Sequence, residues 1–91
     1  MEGCYTHIVL DNNNFVCGLF ASFDRAKSLA MEMSKEILEE DFPELKQAWV
    51  VWVDDGYCDG DDDRWFAEAF DGKTEDRISK TRISVEKHEV R

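Results

Sequence analysis

The 91 residues carry 11 basic and 21 acidic side chains, a formal net charge of −10, on a chain of the length that builds one core and one domain over 1–91. Apolar residues at 43% and aromatics at 12% exclude a disordered chain, and the acidity excludes a domain that grips nucleic acid through its own potential. The longest apolar run, Ala48 to Val53, is far below the roughly 20 residues of a membrane-spanning helix. Met1-Glu2 does not open a signal peptide, and Cys4, Cys17 and Cys58 are an odd set at unrelated spacings, so reduced thiols and a soluble, cytoplasmic protein are expected.

Tyr5 to Leu10 and Phe15 to Ser22 are rich in β-branched and aromatic residues, and Asp11-Asn12-Asn13-Asn14 between them is a turn cluster, which predicts a β-hairpin. Gly18 marks a bulge or a close backbone approach, and alternation makes Cys17 a core filler. Ser22 stands at an N-cap, with Asp24 in the first turn, where a side-chain oxygen and a negative charge both suit the unpaired N–H groups. From there Phe23, Ala26, Leu29, Ala30, Met33, Ile37 and Leu38 recur at helical spacing, and Pro43 closes the helix. Glu39, Glu40, Asp41 and Glu44 crowd its C-terminal end, where the dipole disfavours carboxylates.

Gln47 to Asp54 is apolar on both alternating faces, which predicts a central strand. Trp49, Val51 and Val53 face one way and Val50 and Trp52 the other, so one Trp packs under the helix and one lies exposed on the far side. Asp54 to Asp63 holds six Asp and two Gly in ten residues and reads as a loop. Trp65 to Phe70 resumes a strand, Asp71-Gly72 signals a turn, and Thr81, Ile83 and Val85 alternate in a last strand whose Lys80, Arg82, Lys87 and Arg91 predict a solvated edge. The order β-β-α-β-β-β gives an α+β two-layer sandwich, one mainly antiparallel sheet with a single amphipathic helix on one face.

The charge is local. Residues 47–72 hold eight acids against Arg64 alone, and residues 73–91 are net basic. Like charges packed together repel and destabilise the compact state, so their concentration predicts a partner-binding surface. Asp54, Asp55, Asp59, Asp61, Asp62 and Asp63 supply its charge, Tyr57 and Trp65 its aromatic anchors, and Glu36, Glu39, Glu40 and Glu44 a second patch. A calcium reading of the same loop fails on spacing: with Asp55, Asp59 and Gly60 aligned to positions one, five and six, Tyr57 and Phe66 fall where oxygen ligands belong. Cys4 and His7 are an odd number apart on a strand, which points them to opposite faces and leaves a partly buried thiol and an exposed imidazole rather than a zinc site with Cys58 and His88. Cys17 or Cys58 with His7 or His88 would be the only nucleophilic pair, and Asp neighbours would suppress the Cys58 thiolate. No phosphate-cradling, GxSxG or HExxH pattern is present. Neither an enzyme nor a cofactor is expected.

At Gly18-Leu19-Phe20-Ala21-Ser22-Phe23-Asp24-Arg25-Ala26-Lys27 the chain is similar to short phage and bacterial proteins in which a strand ends in a Phe-x-Ser cap and enters a helix. In size, acidity and unpaired cysteines it resembles the phage-encoded inhibitors of host defence, the anti-CRISPR, anti-restriction and DNA-mimic proteins. That resemblance implies a viral protein acting in the host cytoplasm and transfers no functional residues. The expectation is a non-catalytic inhibitor or modulator that occludes a basic, nucleic-acid-binding site of a host or defence protein, since a site built for phosphates accepts a row of carboxylates. The alternatives are a divalent-cation-responsive regulatory module using the Asp loop, and a homo-oligomeric structural or adaptor protein. A homodimer is the commonest cover for an open sheet face.

Overall fold

The structure, a computed structural model, describes residues 4–54 and 64–90. The elements follow in the order β1 (Cys4–Leu10), β2 (Val16–Phe20), α1 (Phe23–Asp41), β3 (Ala48–Asp54), β4 (Arg64–Asp71) and β5 (Asp76–Val90). The strands form one sheet in the order β2-β1-β5-β4-β3, with every neighbouring pair antiparallel. The helix lies across one face, the α+β two-layer arrangement expected from the sequence.

The first hairpin turns on Asp11. Its Oδ1 accepts from the N–H groups of Asn13 and Phe15 at 2.9 and 3.0 Å, and Asn14 takes the left-handed φ of 65° that Asn tolerates. Ser22 caps α1 by accepting from the Arg25 N–H, and the helix stops at Asp41 with Phe42, the residue before Pro43, as C-cap. Ala26 and Ala30 bury the expected stripe against Val9, Ala67, Ile83 and Val85, and Leu38 is buried further along it. The two alanines let the helix backbone approach the sheet closely. Ser34 on the same stripe is fully buried with an unbonded hydroxyl.

The structure reverses two strand assignments. β5, expected at a solvated edge, is the middle strand, pairing with β1 through Ser84–Val90 and with β4 through Asp76–Glu86. Thr81, Ile83 and Val85 are fully buried, while two of the basic residues read as edge charges lie over rings of neighbouring strands: the Arg82 guanidinium is 4.6 Å from the Phe66 ring centroid and Lys87 the same distance from that of Tyr5. β3, expected to be central, is an edge. Its two apolar faces have different causes, since Trp52 packs edge-to-face on Phe23 under the helix and Trp49 lies on the far face against Phe70 with half its surface exposed.

Two side chains also change sides. Cys17 is exposed because the β1–β2 register slips there: Val9 pairs with Gly18 and Leu10 with Val16, leaving Cys17 as the extra residue. His7 is buried at 7% exposure, because it shares the helix-side face with Val9. Its ring meets Phe23 at 5.7 Å, and Nδ1 donates to the Phe20 carbonyl at 3.2 Å.

A second irregularity interrupts the β4–β5 ladder between Ala67 and Ala69, whose partners are Ile83 and Ile78. The buried Thr81 hydroxyl splices the gap, accepting from the Ala69 N–H at 2.7 Å and donating to the Ile78 carbonyl at 2.6 Å. On the far face Glu68, with no exposed surface, accepts from Arg82 Nε at 3.0 Å and lies 3.9 Å from Arg77.

Candidate functional site

The expected site residues divide by position. Asp55, Tyr57, Asp59, Asp61, Asp62 and Asp63 lie outside the described residues, as does the side chain of Asp54. Arg64 and Trp65 resume β4 beside them in sequence, and Trp65 pairs with Asp54. Trp65, expected as a partner anchor, is half-buried with its ring 4.8 Å from Phe23, which gives it a core role on the helix side. Glu36, Glu39, Glu40 and Glu44 are all exposed.

Trp52, near one end of β3, packs on Phe23 at the start of α1, whereas Ala48 at the other end shares a groove with Leu38 and Phe42 at the close of α1. Asp54, the last residue of β3, is therefore at the opposite end of the strand from the helical carboxylates, with strand steps of about 3.4 Å each between the two ends. The helical patch is an acidic surface among the described residues.

Its electrostatics are unfavourable in isolation. Glu32, Glu36 and Glu40 are spaced i, i+4, about 6 Å apart along the axis, a like-charge arrangement that costs about 0.2–0.5 kcal/mol per pair. Glu39, Glu40 and Asp41 add carboxylates at the negative end of the dipole, and the last turn holds no basic residue. Among the described residues none of Glu32, Glu36, Glu39, Glu40, Asp41 or Glu44 is in an ion pair.

Beside these carboxylates runs an apolar groove of about 750 Å³. One wall is the helix, through Met31, Lys35 and Leu38, and the other is the β3 edge, through Ala48, Trp49 and Val50; Phe42, Pro43 and Leu45 close one end, and Glu32 and Glu39 stand on the rim. The groove follows from dimensions. A helix about 10 Å across cannot cover five strands set about 4.8 Å apart, so β3 overhangs.

The sequence reading missed the groove. Leu45 and Ala48 flank a turn and belong to no periodic stripe, and Val50 was assigned to a covered centre. A further apolar surface was also missed: Phe15, Val16 and Leu19 are 68%, 60% and 63% exposed at the other edge of the sheet. Only the bulge at Cys17, signalled by Gly18, would have shown that β2 turns them outward.

The imidazoles are separated. His7 faces the helix, while His88 is exposed with Nε2 3.1 Å from Glu86 Oε1. No cluster of three or more His, Cys, Asp or Glu able to hold a metal ion occurs among the described residues, and no helix among them is long and apolar enough to cross a membrane. Comparison with known proteins gave no matching family model, no matching curated protein and no matching solved structure.

Proposed function

We propose that this chain is a non-catalytic, acidic protein-binding module that docks on a basic, nucleic-acid-binding site of a partner protein and inhibits or modulates that partner by occupying it. The observation that carries the reading is the row of exposed carboxylates on the C-terminal half of α1, in no ion pair among the described residues, of which Glu32 and Glu39 stand at the rim of an apolar groove. Charge steers encounter and a desolvated apolar centre holds the complex, the usual division of labour in an interface. The carboxylates raise the energy of the free helix, and a cationic partner removes that cost. The Asp-rich segment 54–63 adds more negative charge to the same chain and extends the potential that attracts a polycation-lined site.

The test neutralises the patch. Glu36, Glu39, Glu40 and Glu44 replaced together by Gln keep size and polarity. The variant folds with a melting temperature at or above that of the parent, because the removed charges repel one another. Against a partner captured from the native host, it associates more slowly and its affinity depends less steeply on salt. Equal binding by parent and variant at low and high salt overturns the reading.

A further inference from the structure

The β3 edge carries a docking geometry that general acidity does not describe. Gly72 donates its N–H to the Gln47 carbonyl at 2.9 Å, and the β3–β4 register runs without a bulge from Ala48↔Asp71 to Asp54↔Trp65. In an antiparallel ladder the bonded positions alternate. Trp49, Val51 and Val53 therefore bond to β4, while Ala48, Val50 and Trp52 direct their backbone N–H and C=O groups outward from the sheet. Among the described residues this edge is unpaired, and its seven residues contain no Pro, Gly, Lys or Arg and one charge, Asp54 at the end, so it carries few of the features that usually blunt an edge. The opposite edge, β2, is five residues long, bulged and interrupted by Gly18. The outward groups of Ala48 and Val50 open beside the groove that α1 walls and whose rim carries Glu32 and Glu39.

We infer that β3 accepts an extended, basic segment of the partner as a sixth strand. The segment's backbone pairs with Ala48, Val50 and Trp52, its apolar side chains fill the groove against Leu38, Phe42 and Val50, and its Arg or Lys heads reach Glu32 and Glu39. This deepens the proposed function and rests on it for the sign of the partner's charge. Strand addition suits the site because main-chain bonds give affinity and alternate side chains give specificity. A long basic side chain can lay its aliphatic stem on Met31 and keep its head at the carboxylates. A second copy is the poorer occupant, since each brings a net charge of −10 to an edge already rimmed by carboxylates.

The test uses two capped heptapeptides, Thr-Arg-Thr-Val-Thr-Arg-Thr (Arg-Val) and Thr-Glu-Thr-Val-Thr-Glu-Thr (Glu-Val), whose charged and apolar side chains share one face of the strand, with amide hydrogen exchange on the full chain. The Arg-Val peptide is expected to slow exchange at Ala48, Val50 and Trp52 at least tenfold, and the Glu-Val peptide to leave it unchanged. Val50→Pro removes one outward donor while sparing the β4 ladder and is expected to weaken the Arg-Val peptide at least tenfold; Glu32→Gln with Glu39→Gln, which leaves the strand untouched, weakens it and flattens its salt dependence. Equal protection by both peptides overturns the inference, as does edge protection that grows with protein concentration in the absence of peptide, the sign of a second copy. Arg-Val binding without edge protection overturns strand addition yet leaves the acidic docking surface standing. Failure of the captured partner to respond to the fourfold Gln variant instead overturns the proposed function.

Discussion

Glu68 and Arg82 offer the sharpest energetic test of the fold. Glu68 has no exposed surface, and among the described residues its one hydrogen bond is the 3.0 Å contact from Arg82 Nε, leaving Oε1 unbonded with Arg77 3.9 Å away. Removing one partner of a buried pair costs about 3–5 kcal/mol because the other charge is stranded. Arg82 is 47% exposed, so solvent screening and the remaining Arg77 bring Arg82→Met below that range, to about 1–3 kcal/mol, the scale of a lost hydrogen bond to a charged group. Replacing both residues by Met removes the stranded charge together with its partner and costs less than the single change. Urea unfolding at constant m value reads both. With a domain of this size losing roughly 4–8 °C per kcal/mol, Arg82→Met should melt at least about 4 °C below the parent. A loss below about 0.5 kcal/mol in the single variant, or a double variant less stable than the single, would refute the account.

Three further substitutions probe local geometry by the same unfolding assay. Thr81→Val keeps the side-chain shape and strands the Ala69 N–H in a buried ladder gap, an expected loss of about 2 kcal/mol. Gly72→Ala puts a Cβ 2.6 Å from Trp49 Cζ3 and 2.8 Å from the Gln47 carbonyl oxygen, so it should cost about 1–3 kcal/mol and alter Trp49 fluorescence. Glu75→Gly relieves a non-glycine φ of 61° and should raise stability by about 0.5–1 kcal/mol.

The helix was legible to its ends because an apolar stripe, an N-cap serine and a stopping proline agree, and each is a local signal. The first hairpin was legible for the same reason. Strand order was not. Periodicity reports how many faces of a strand are apolar and says nothing about which neighbours supply the cover, so β3 and β5 exchanged places: Trp49 makes its own cover with Phe70 and Gly72, and Arg77, Arg82 and Lys87 of β5 lie against rings or a carboxylate of adjacent strands. Half of the candidate surface was visible as charge, through Glu36, Glu39, Glu40 and Glu44. The groove beside them was not, since it arises where a single helix fails to span a five-stranded sheet, a property of the assembled layers.

The central claim is that the acidic surface occupies a site made for nucleic acid. The measurement that reaches it most directly is a competition in which immobilised protein captures its partner from the native host while duplex DNA is titrated in at fixed ionic strength. The account predicts that DNA releases the partner completely and that the released protein, free of this chain, binds the same DNA. Capture that persists at saturating DNA, or a released partner with no affinity for nucleic acid, would contradict it.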